Sequence, residues 1–280
     1  MPRSLPYLLL LPATAFLVLF FLYPFVLVAI DSMTRGGEWT LENYRRMAGH
    51  WKFETAFWNT LMLAALVVPV QLALALTMAS IVTRLERGRS TILYIFAIPL
   101  GISDLAAGLI WLSIFEQSGF LNSILVGLGV VDRPILLLGY QNAWVILLAI
   151  VLAEVWRATA IMMVILVAGM GLIPREYGEA AEVFGASRWQ RFRRVTLPML
   201  KPSLQTALIL RVILAFEVFA VVVALGGTQL PVLMSETYHW QFTMQERGVA
   251  AAYAMVILAI SVAFTVLILR LLHVPKEARP

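Results

Sequence analysis

The sequence contains no cysteine and only three histidines, which stand in separate segments as His50, His239 and His273. A disulfide framework and a thiolate metal site are therefore excluded, and scattered imidazoles do not favour a metal centre. Charged residues are also scarce, at 13% of the chain, whereas apolar residues make up 61% and the mean hydropathy is +0.87. This composition excludes an ordinary soluble domain and indicates a membrane protein.

Six apolar runs are long enough to cross a bilayer, which takes about 20 helical residues. They cover residues 5–30, 57–82, 91–115, 143–172, 203–225 and 249–272. The first run is much longer than the apolar core of a signal peptide, so we expect it to be a retained span. Because the sequence has no internal repeat, these runs predict one all-α membrane domain over residues 1–280, with six transmembrane helices.

Lysine and arginine are unevenly distributed between the two sides of the membrane. With the amino terminus inside, thirteen of the 21 basic residues fall in inner segments and six in outer loops, while Arg157 and Arg211 lie within spans. The positive-inside rule then predicts a multi-pass membrane protein with both termini cytoplasmic. Basic residues that face anionic membrane lipid account for the net charge of +5, so no nucleic acid partner is needed.

The inner segment between the fourth and fifth runs, residues 173–202, is charged and patterned. Apolar residues recur at helical spacing up to Gly185, with glutamates between them, and this predicts a short amphipathic helix that ends at the glycine. Ser187 and Gln190 form a capping-box pair, which predicts a second helix. Two interpretations stay open here: the helices lie in the lipid headgroup layer, or the acidic helix contacts a basic groove on another protein.

The same loop carries a spaced motif. Residues 179–198 read EAAEVFGASRWQRFRRVTLP and resemble the EAA motif of the membrane subunits of bacterial ABC importers, with Val195 in place of the usual isoleucine. The segments LLLPATAFLVLFFLYPFVLVAIDSM and LAEVWRATAIMMVILVAGMGLIP are similar to the first and fourth spans of the carbohydrate-uptake branch, on the side of its larger maltose-type subunit. Two departures are Phe184, where many relatives have aspartate, and residues 224–228, where most have a glycine-rich turn.

The resemblance implies a type I ABC importer permease fold with a cytoplasmic two-helix coupling loop. Glu179 would bind a basic residue of an ABC ATPase dimer, Ala180 and Ala181 would allow close packing there, and Gly185 would set the elbow of the loop. The other implied partners are a second, related permease subunit and an extracytoplasmic solute-binding protein, besides membrane lipid.

Nucleotide chemistry is expected on a separate chain. This sequence has no Gly-x-x-x-x-Gly-Lys-Ser/Thr loop to hold a phosphate, so ATP and magnesium would bind the ATPase partner. No cofactor, metal or catalytic residue is expected here. The chain is predicted to be a transporter subunit and not an enzyme.

Charged residues within the predicted spans are Asp104, Glu154, Arg157, Arg211 and Glu217. Such charges are costly in lipid, so they are expected to face protein or a watery cavity. Glu154 and Arg157 stand three residues apart and can pair on one helix. Arg211 and Glu217 require partners on other helices. A purely structural role, holding spans together, stays an alternative to a role in transport.

The resemblance also implies where a solute passes. Sugar contacts in maltose-type importers, carried onto this chain, fall on Arg157, Ala158, Ile161, Phe216, Glu217 and Phe219. The charged groups would bind hydroxyls, and a phenylalanine would offer its face to a pyranose ring. A di- or oligosaccharide is the expected solute, and a glycerophosphodiester or polyol fits nearly as well. A secondary transporter or a non-transporting scaffold would leave the EAA spacing unexplained.

Overall fold

The structure is a computed structural model, which describes residues 5–85 and 87–273. The α-helices of these residues are α1 (Leu5–Leu17), α2 (Tyr23–Met33), α3 (Glu42–Ala48), α4 (Phe53–Val82), α5 (Arg89–Ala97), α6 (Asp104–Phe115), α7 (Phe120–Gly127), α8 (Ala143–Gly171), α9 (Arg175–Val183), α10 (Arg188–Arg191), α11 (Leu197–Met199), α12 (Lys201–Phe216), α13 (Ala220–Gly226), α14 (Leu233–Tyr238) and α15 (Arg247–Leu271). Two-residue strands β1 (Thr34–Arg35) and β2 (Glu38–Trp39) pair antiparallel after α2.

Short stretches of other helix types join several of these elements. Single π-helical turns lie at Val18–Leu22, Phe192–Thr196 and His239–Thr243, so α1 and α2 form one continuous rod, and so do α10 and α11. Turns of 3₁₀-helix lie at Ile98–Gly101 and Tyr140–Asn142. The first two π turns lie within a continuing helix, whereas the turn at His239–Thr243 ends the helix that begins with α14.

Long apolar helices account for most of the predicted spans. In the described residues, five segments can cross a bilayer by length and composition: Leu9–Met33, Phe53–Val82, Asp104–Gly127, Tyr140–Gly171 and Arg247–Leu271. The helices Arg188–Met199 and Lys201–Phe216 meet at 71°, and this bent pair counts as a sixth where it is taken as one span. The prediction of an all-α membrane protein with six spans is therefore confirmed, although two of the spans differ from the expected helices.

The third predicted span, residues 91–115, is wrong as a continuous helix. α5 passes into a 3₁₀ turn that contains Pro99 and ends at Gly101, and α6 begins only at Asp104. Ser103 caps the new helix by accepting a hydrogen bond from the Ala106 N–H at 3.2 Å. Proline and a serine cap together favour a new helix start over continuation. Asp104 consequently lies in the first turn of a helix and not in the middle of a span.

The fifth predicted span, residues 203–225, is also interrupted. α12 ends at Phe216, and α13 begins at Ala220 after a break whose last residue, Phe219, has φ −137° and ψ −63°. Val218, on the break, and Val221 in α13 pack into a core shared with α4 and α8. Glu217 stays exposed at the same place. The break thus turns valines inward and leaves the carboxylate outside the core.

The helices α4 and α8 form the centre of the molecule. They make the most extensive helix pair, and α4 contributes to all three apolar clusters of the core. In the most apolar stretch of Tyr140–Gly171, 61% of the residues are buried. In the most apolar stretch of Leu9–Met33, no residue is buried. A helix that is apolar on all sides is suited to a position enclosed by other helices. α6, α12 and α13 pack against α8, whereas α2 packs against α15.

The crossing of α8 and α12 requires a glycine. A β-carbon at Gly169 would lie 2.5 Å from Ser203 Cβ and 3.0 Å from Leu200 Cδ1, whereas a β-carbon at Gly171 would meet nothing within 4 Å. We expect Gly169→Ala to lower the free energy of unfolding by about 1–3 kcal/mol, because the two helices must move apart. Denaturation of the purified protein in detergent measures this. Gly171→Ala is the control, because it makes the same change in helix propensity at a position with open space. Equal destabilisation by both variants would contradict a close approach of α8 and α12 at Gly169.

Candidate functional site

The loop between α8 and α12 consists of two helices joined at a glycine. α9 ends at Val183, and Gly185 has φ +78°, a left-handed conformation that glycine adopts without strain. The Gly185 N–H donates to the Glu182 carbonyl at 2.9 Å. Ser187 and Gln190 form the expected capping box at the start of α10. The predicted two-helix loop with a glycine elbow is confirmed, and α9 begins after Pro174.

One ion pair holds the two helices of this loop together. The Arg191 guanidinium donates to Glu182 Oε2 at 2.6 Å. Trp189 and Phe192 stack with their ring centres 5.7 Å apart. The elbow is therefore fixed both by its backbone and by a side-chain contact across it.

The outer face of α9 has no partner within the described residues. None of the helix's residues is buried, and Glu179 and Ala180 are both exposed. Val183 and Phe184, at the end of the helix, are 85% and 89% exposed. Large exposed apolar side chains beside an acidic residue are typical of a surface that contacts another protein. Ala181 is half-buried on the opposite side.

Ionic and polar groups form a connected chain in the middle of the helix bundle. Arg211 on α12 donates through Nη2 to Glu154 Oε2 on α8 at 2.9 Å, and both side chains are inaccessible to solvent. Gln71 on α4 accepts a hydrogen bond from Arg211 Nε through Oε1 and donates through Nε2 to the Glu154 carbonyl oxygen at 2.7 Å. Three helices are thus joined at one buried point. The prediction that Arg211 needs a partner on another helix is confirmed.

The chain continues from this buried point to the surface. Arg157 Nη2 lies 3.5 Å from Glu154 Oε1, and Arg157 Nη1 lies 2.8 Å from Asp104 Oδ1 at the start of α6. Exposure of the side chain rises along the series, from 1% at Glu154 to 16% at Arg157 and 48% at Asp104. The local Glu154–Arg157 pair expected from the sequence is present, but the shorter contact joins Arg157 to another helix.

The predicted pathway residues occupy different environments. Ala158 and Phe216 are buried, Ile161 and Phe219 are half-buried, and Glu217 is exposed. Phe216 packs in the core edge-on against Phe264, with ring centres 5.2 Å apart. It therefore offers no face to a solute in this structure. Within the described part of the chain, no ion pair or hydrogen bond joins Glu217 to Arg157.

Glu217 and Phe219 lie where the fifth span is broken. Glu217 lines a groove of about 580 Å³ between α12 and α15, in which Ser261 and Thr265 are the other polar side chains. Phe219 packs against Tyr238 with ring centres 5.0 Å apart. Broken helices are tolerated at membrane depth where they are buried in protein or line a cavity. A carboxylate, two hydroxyls and an aromatic ring are groups that a hydroxylated solute can contact.

Gln71 is the central residue that the sequence interpretation missed. It is fully buried and bonds to both members of the Arg211–Glu154 pair. The only indication of its role in the sequence is that it is a polar residue within the apolar run VVPVQLALAL. Because glutamine carries no charge, it is not among the charged residues identified within the predicted spans. Asp104 was recognised as a charge within a span, but its contact with Arg157 depends on the break that starts α6.

Metal chemistry has no support in the described residues, since no group of three or more His, Asp or Glu side chains there could hold an ion. What the residues do form is a helical membrane bundle with a buried ionic core, two interrupted spans and a braced loop whose helix faces outward. This combination is typical of a membrane subunit of the transporter type, because ionisable residues among membrane spans commonly mark transport proteins.

Comparison with known proteins gives the family. Residues 71–276 match the family described as "Binding-protein-dependent transport system inner membrane component", and the chain belongs to it. It is similar to the trehalose/maltose transport system permease protein MalF of Thermococcus litoralis, at 30% identity over 95% of this chain and 93% of that protein. It is also similar to the sulfoquinovosyl glycerol transport system permease protein SmoG of Agrobacterium fabrum, at 32% identity over 97% and 91%.

The fold is found in a solved transporter. A chain of the bacterial alginate ABC transporter, determined in complex with an alginate pentasaccharide-bound periplasmic protein, aligns with a TM-score of 0.82 at 20% identity over 97% of this chain and 95% of that one. The predicted type I ABC importer permease fold is confirmed. The protein is a permease subunit and not an enzyme, as the sequence predicted.

The burial of the Arg211–Glu154 pair predicts how its removal changes the stability of the protein. We expect Arg211→Met to lower the free energy of unfolding by about 3–5 kcal/mol, because it leaves the Glu154 carboxylate buried without a counter-charge. Adding Glu154→Gln should restore more than half of that loss, since no buried charge then remains. Denaturation in detergent of the single and double variants forms a mutant cycle.

Asp104→Asn is the matched control, since Asp104 is half-exposed at the other end of the same chain. It should cost much less than Arg211→Met. Equal stability of the Arg211→Met single variant and the native protein would rule out a structural role for the pair.

Proposed function

We propose that this chain forms the translocation pathway of an ATP-driven importer for a sugar, most simply a di- or oligosaccharide delivered by an extracytoplasmic solute-binding protein. The single observation that carries the proposal is the loop of α9 and α10, which presents the EAA residues on a helix with an outer face that has no partner in the described residues. Relatives named for trehalose/maltose and for sulfoquinovosyl glycerol support a sugar-like solute.

The geometry of the loop supports a coupling role. Glu179 and Ala180 face outward and can meet a basic groove on an ABC ATPase dimer, where the small alanine side chain allows close approach. Ala181 is half-buried and is proposed to allow close packing beside Ala180. Gly185 and the Glu182–Arg191 pair brace the elbow. A push on α9 is then transmitted through α10 and α11 to α12, which carries Arg211.

The proposed transporter contains other subunits besides this chain. The proposed partners are an ABC ATPase dimer that binds ATP and magnesium, a second related permease subunit and the solute-binding protein. The largely exposed stretch from Leu9 to Ile30 is available for lipid or for the second permease. In a bacterial or archaeal plasma membrane, the distribution of arginine and lysine supports an orientation with both termini and the α9–α10 loop in the cytoplasm. Residues 1–280 then constitute one membrane domain.

The proposed solute path includes Glu217 and Phe219 at the break of the fifth span. Glu217 lies on one groove with Ser261 and Thr265, which would supply polar contacts to a hydroxylated ring. Phe219, which stands two residues further along the chain and outside the lining of that groove, is proposed to supply an aromatic face. Arg157, with Ala158 and Ile161 on the same helix, is proposed to act on the other side of the bundle. A strongly anionic solute is less favoured, because Arg157 is already neutralised by Asp104 and Glu217 is itself acidic.

Exchange of Glu179 tests the coupling role. We expect Glu179→Lys to abolish co-purification with the ATPase subunit and to abolish solute-stimulated ATP hydrolysis in the reconstituted transporter, because the charge that faces the groove is reversed. The matched control is Glu38→Lys, the same change at an exposed residue of β2. ATPase association that survives Glu179→Lys would reject the proposed coupling surface.

Exchange of Glu217 tests the solute path separately. Glu217→Gln keeps the size of the side chain and removes its charge, and the exposed position predicts an unchanged melting temperature. We expect sugar uptake into proteoliposomes to fall roughly tenfold or more, as is typical when a charge-assisted hydrogen bond to a solute is lost. Asp132→Asn, at another exposed acidic residue, should leave uptake unchanged. If Glu217→Gln transports as well as the native protein, Glu217 is not a solute contact.

A further inference from the structure

Arginines line a cavity between the α9–α10 loop and the ends of the neighbouring spans. The cavity has a volume of about 380 Å³ and lies between the ends of α4 and α8, the start of α5, and the helices of the loop. Its lining includes Arg84, Arg89, Arg175 and Arg191, together with the hydroxyls of Ser80 and Thr83. No acidic side chain is among the described residues that line it. Arg191 is paired with Glu182, so the cavity is suited to an anion through Arg84, Arg89 and Arg175.

An apolar cavity adjoins the arginine-lined one. It has a volume of about 680 Å³, and the two share Ser80, Arg84 and Phe192 in their linings. The second cavity is otherwise formed mainly by apolar side chains of α4 and by Trp189. A single ligand that occupies both cavities must have an anionic group at one end and a hydrocarbon portion at the other.

The position of the two cavities identifies the class of ligand. The span α4 ends at Val82, only two residues before Arg84, and α8 ends at Gly171, which lines the arginine cavity. The arginines thus lie where the hydrocarbon core of the bilayer ends and the headgroup layer begins. Trp189 beside them is typical of residues at this level. A phospholipid presents its phosphate at this depth and its acyl chains on the hydrocarbon side.

We propose that these adjoining cavities bind one anionic phospholipid, with its phosphate among Arg84, Arg89 and Arg175 and an acyl chain against Leu76, Ile81 and Trp189. An excess of positive charge distinguishes this site from the general lipid surface, because it repels the ammonium group of a zwitterionic headgroup. The bound lipid connects the α4–α5 turn to the loop that carries the EAA residues. Binding requires neither an ATPase nor a transported solute, so its test is independent of the proposed function.

Photolabelling of the full-length chain tests the site. The protein is reconstituted in nanodiscs of phosphatidylcholine with a trace of phosphatidylglycerol that carries a diazirine on its acyl chain, and labelled peptides are located by mass spectrometry. We expect labels within residues 73–85 and 188–192, the segments that line the apolar cavity. Added phosphatidylglycerol should displace the probe, whereas added phosphatidylcholine or inorganic phosphate should not.

Paired arginine variants supply the control. Arg84→Gln with Arg89→Gln should reduce labelling of these segments roughly tenfold or more, because two headgroup charges are lost. Both residues are exposed, so the fold is retained. Arg193→Gln with Arg194→Gln removes the same charge from the same loop at residues that line neither cavity, and labelling should persist.

Three outcomes would overturn the proposal. Equal loss of labelling in both double variants would indicate general attraction to an anionic membrane. Displacement of the probe by inorganic phosphate as effective as that by phosphatidylglycerol would indicate a site for a soluble anion. Labels spread evenly over the exposed spans would indicate no site at all.

Discussion

The structure depends on the buried pair of Arg211 and Glu154. Each group by itself is costly to bury away from water, so each requires the other and requires the helices that carry them to stay in register. Gln71 adds a third helix by accepting a hydrogen bond from the Arg211 guanidinium and donating one to the backbone carbonyl of Glu154. The centre of the bundle is therefore specified by directional contacts, which the surrounding apolar clusters cannot supply. Helices α4, α8 and α12 receive their relative positions from this point.

The two interrupted spans follow from the same arrangement. The break before α6 places Asp104 at a helix start, where its carboxylate reaches Arg157 and carries the ionic chain toward the surface. The break after α12 separates the buried Arg211 from the exposed Glu217, so that one helix supplies both a core contact and a group on a groove. Interrupted helices thus bring polar groups to defined depths without exposing backbone to lipid.

The loop between α8 and α12 was largely predictable because its signals are local. A glycine at a helix end and a serine followed three residues later by glutamine act within one or two turns, and the structure has both the left-handed Gly185 and the capping box. The positions of the interrupted spans were less predictable. Residues 91–115 and 203–225 are apolar enough to cross a membrane. Hydropathy does not indicate where a helix is interrupted, so both runs were predicted as continuous helices.

The sequence by itself determined the membrane class, the approximate limits of four spans, the two-helix loop and the family resemblance, since each rests on composition or short-range spacing. Only the tertiary structure decided which charges pair, because Gln71, Glu154 and Arg211 are separated by long stretches of chain and meet through the packing of three helices. It also removed Phe216 from the possible solute contacts by burying it against Phe264. Burial and long-range pairing depend on how helices cross, and the order of residues along one helix does not contain that information.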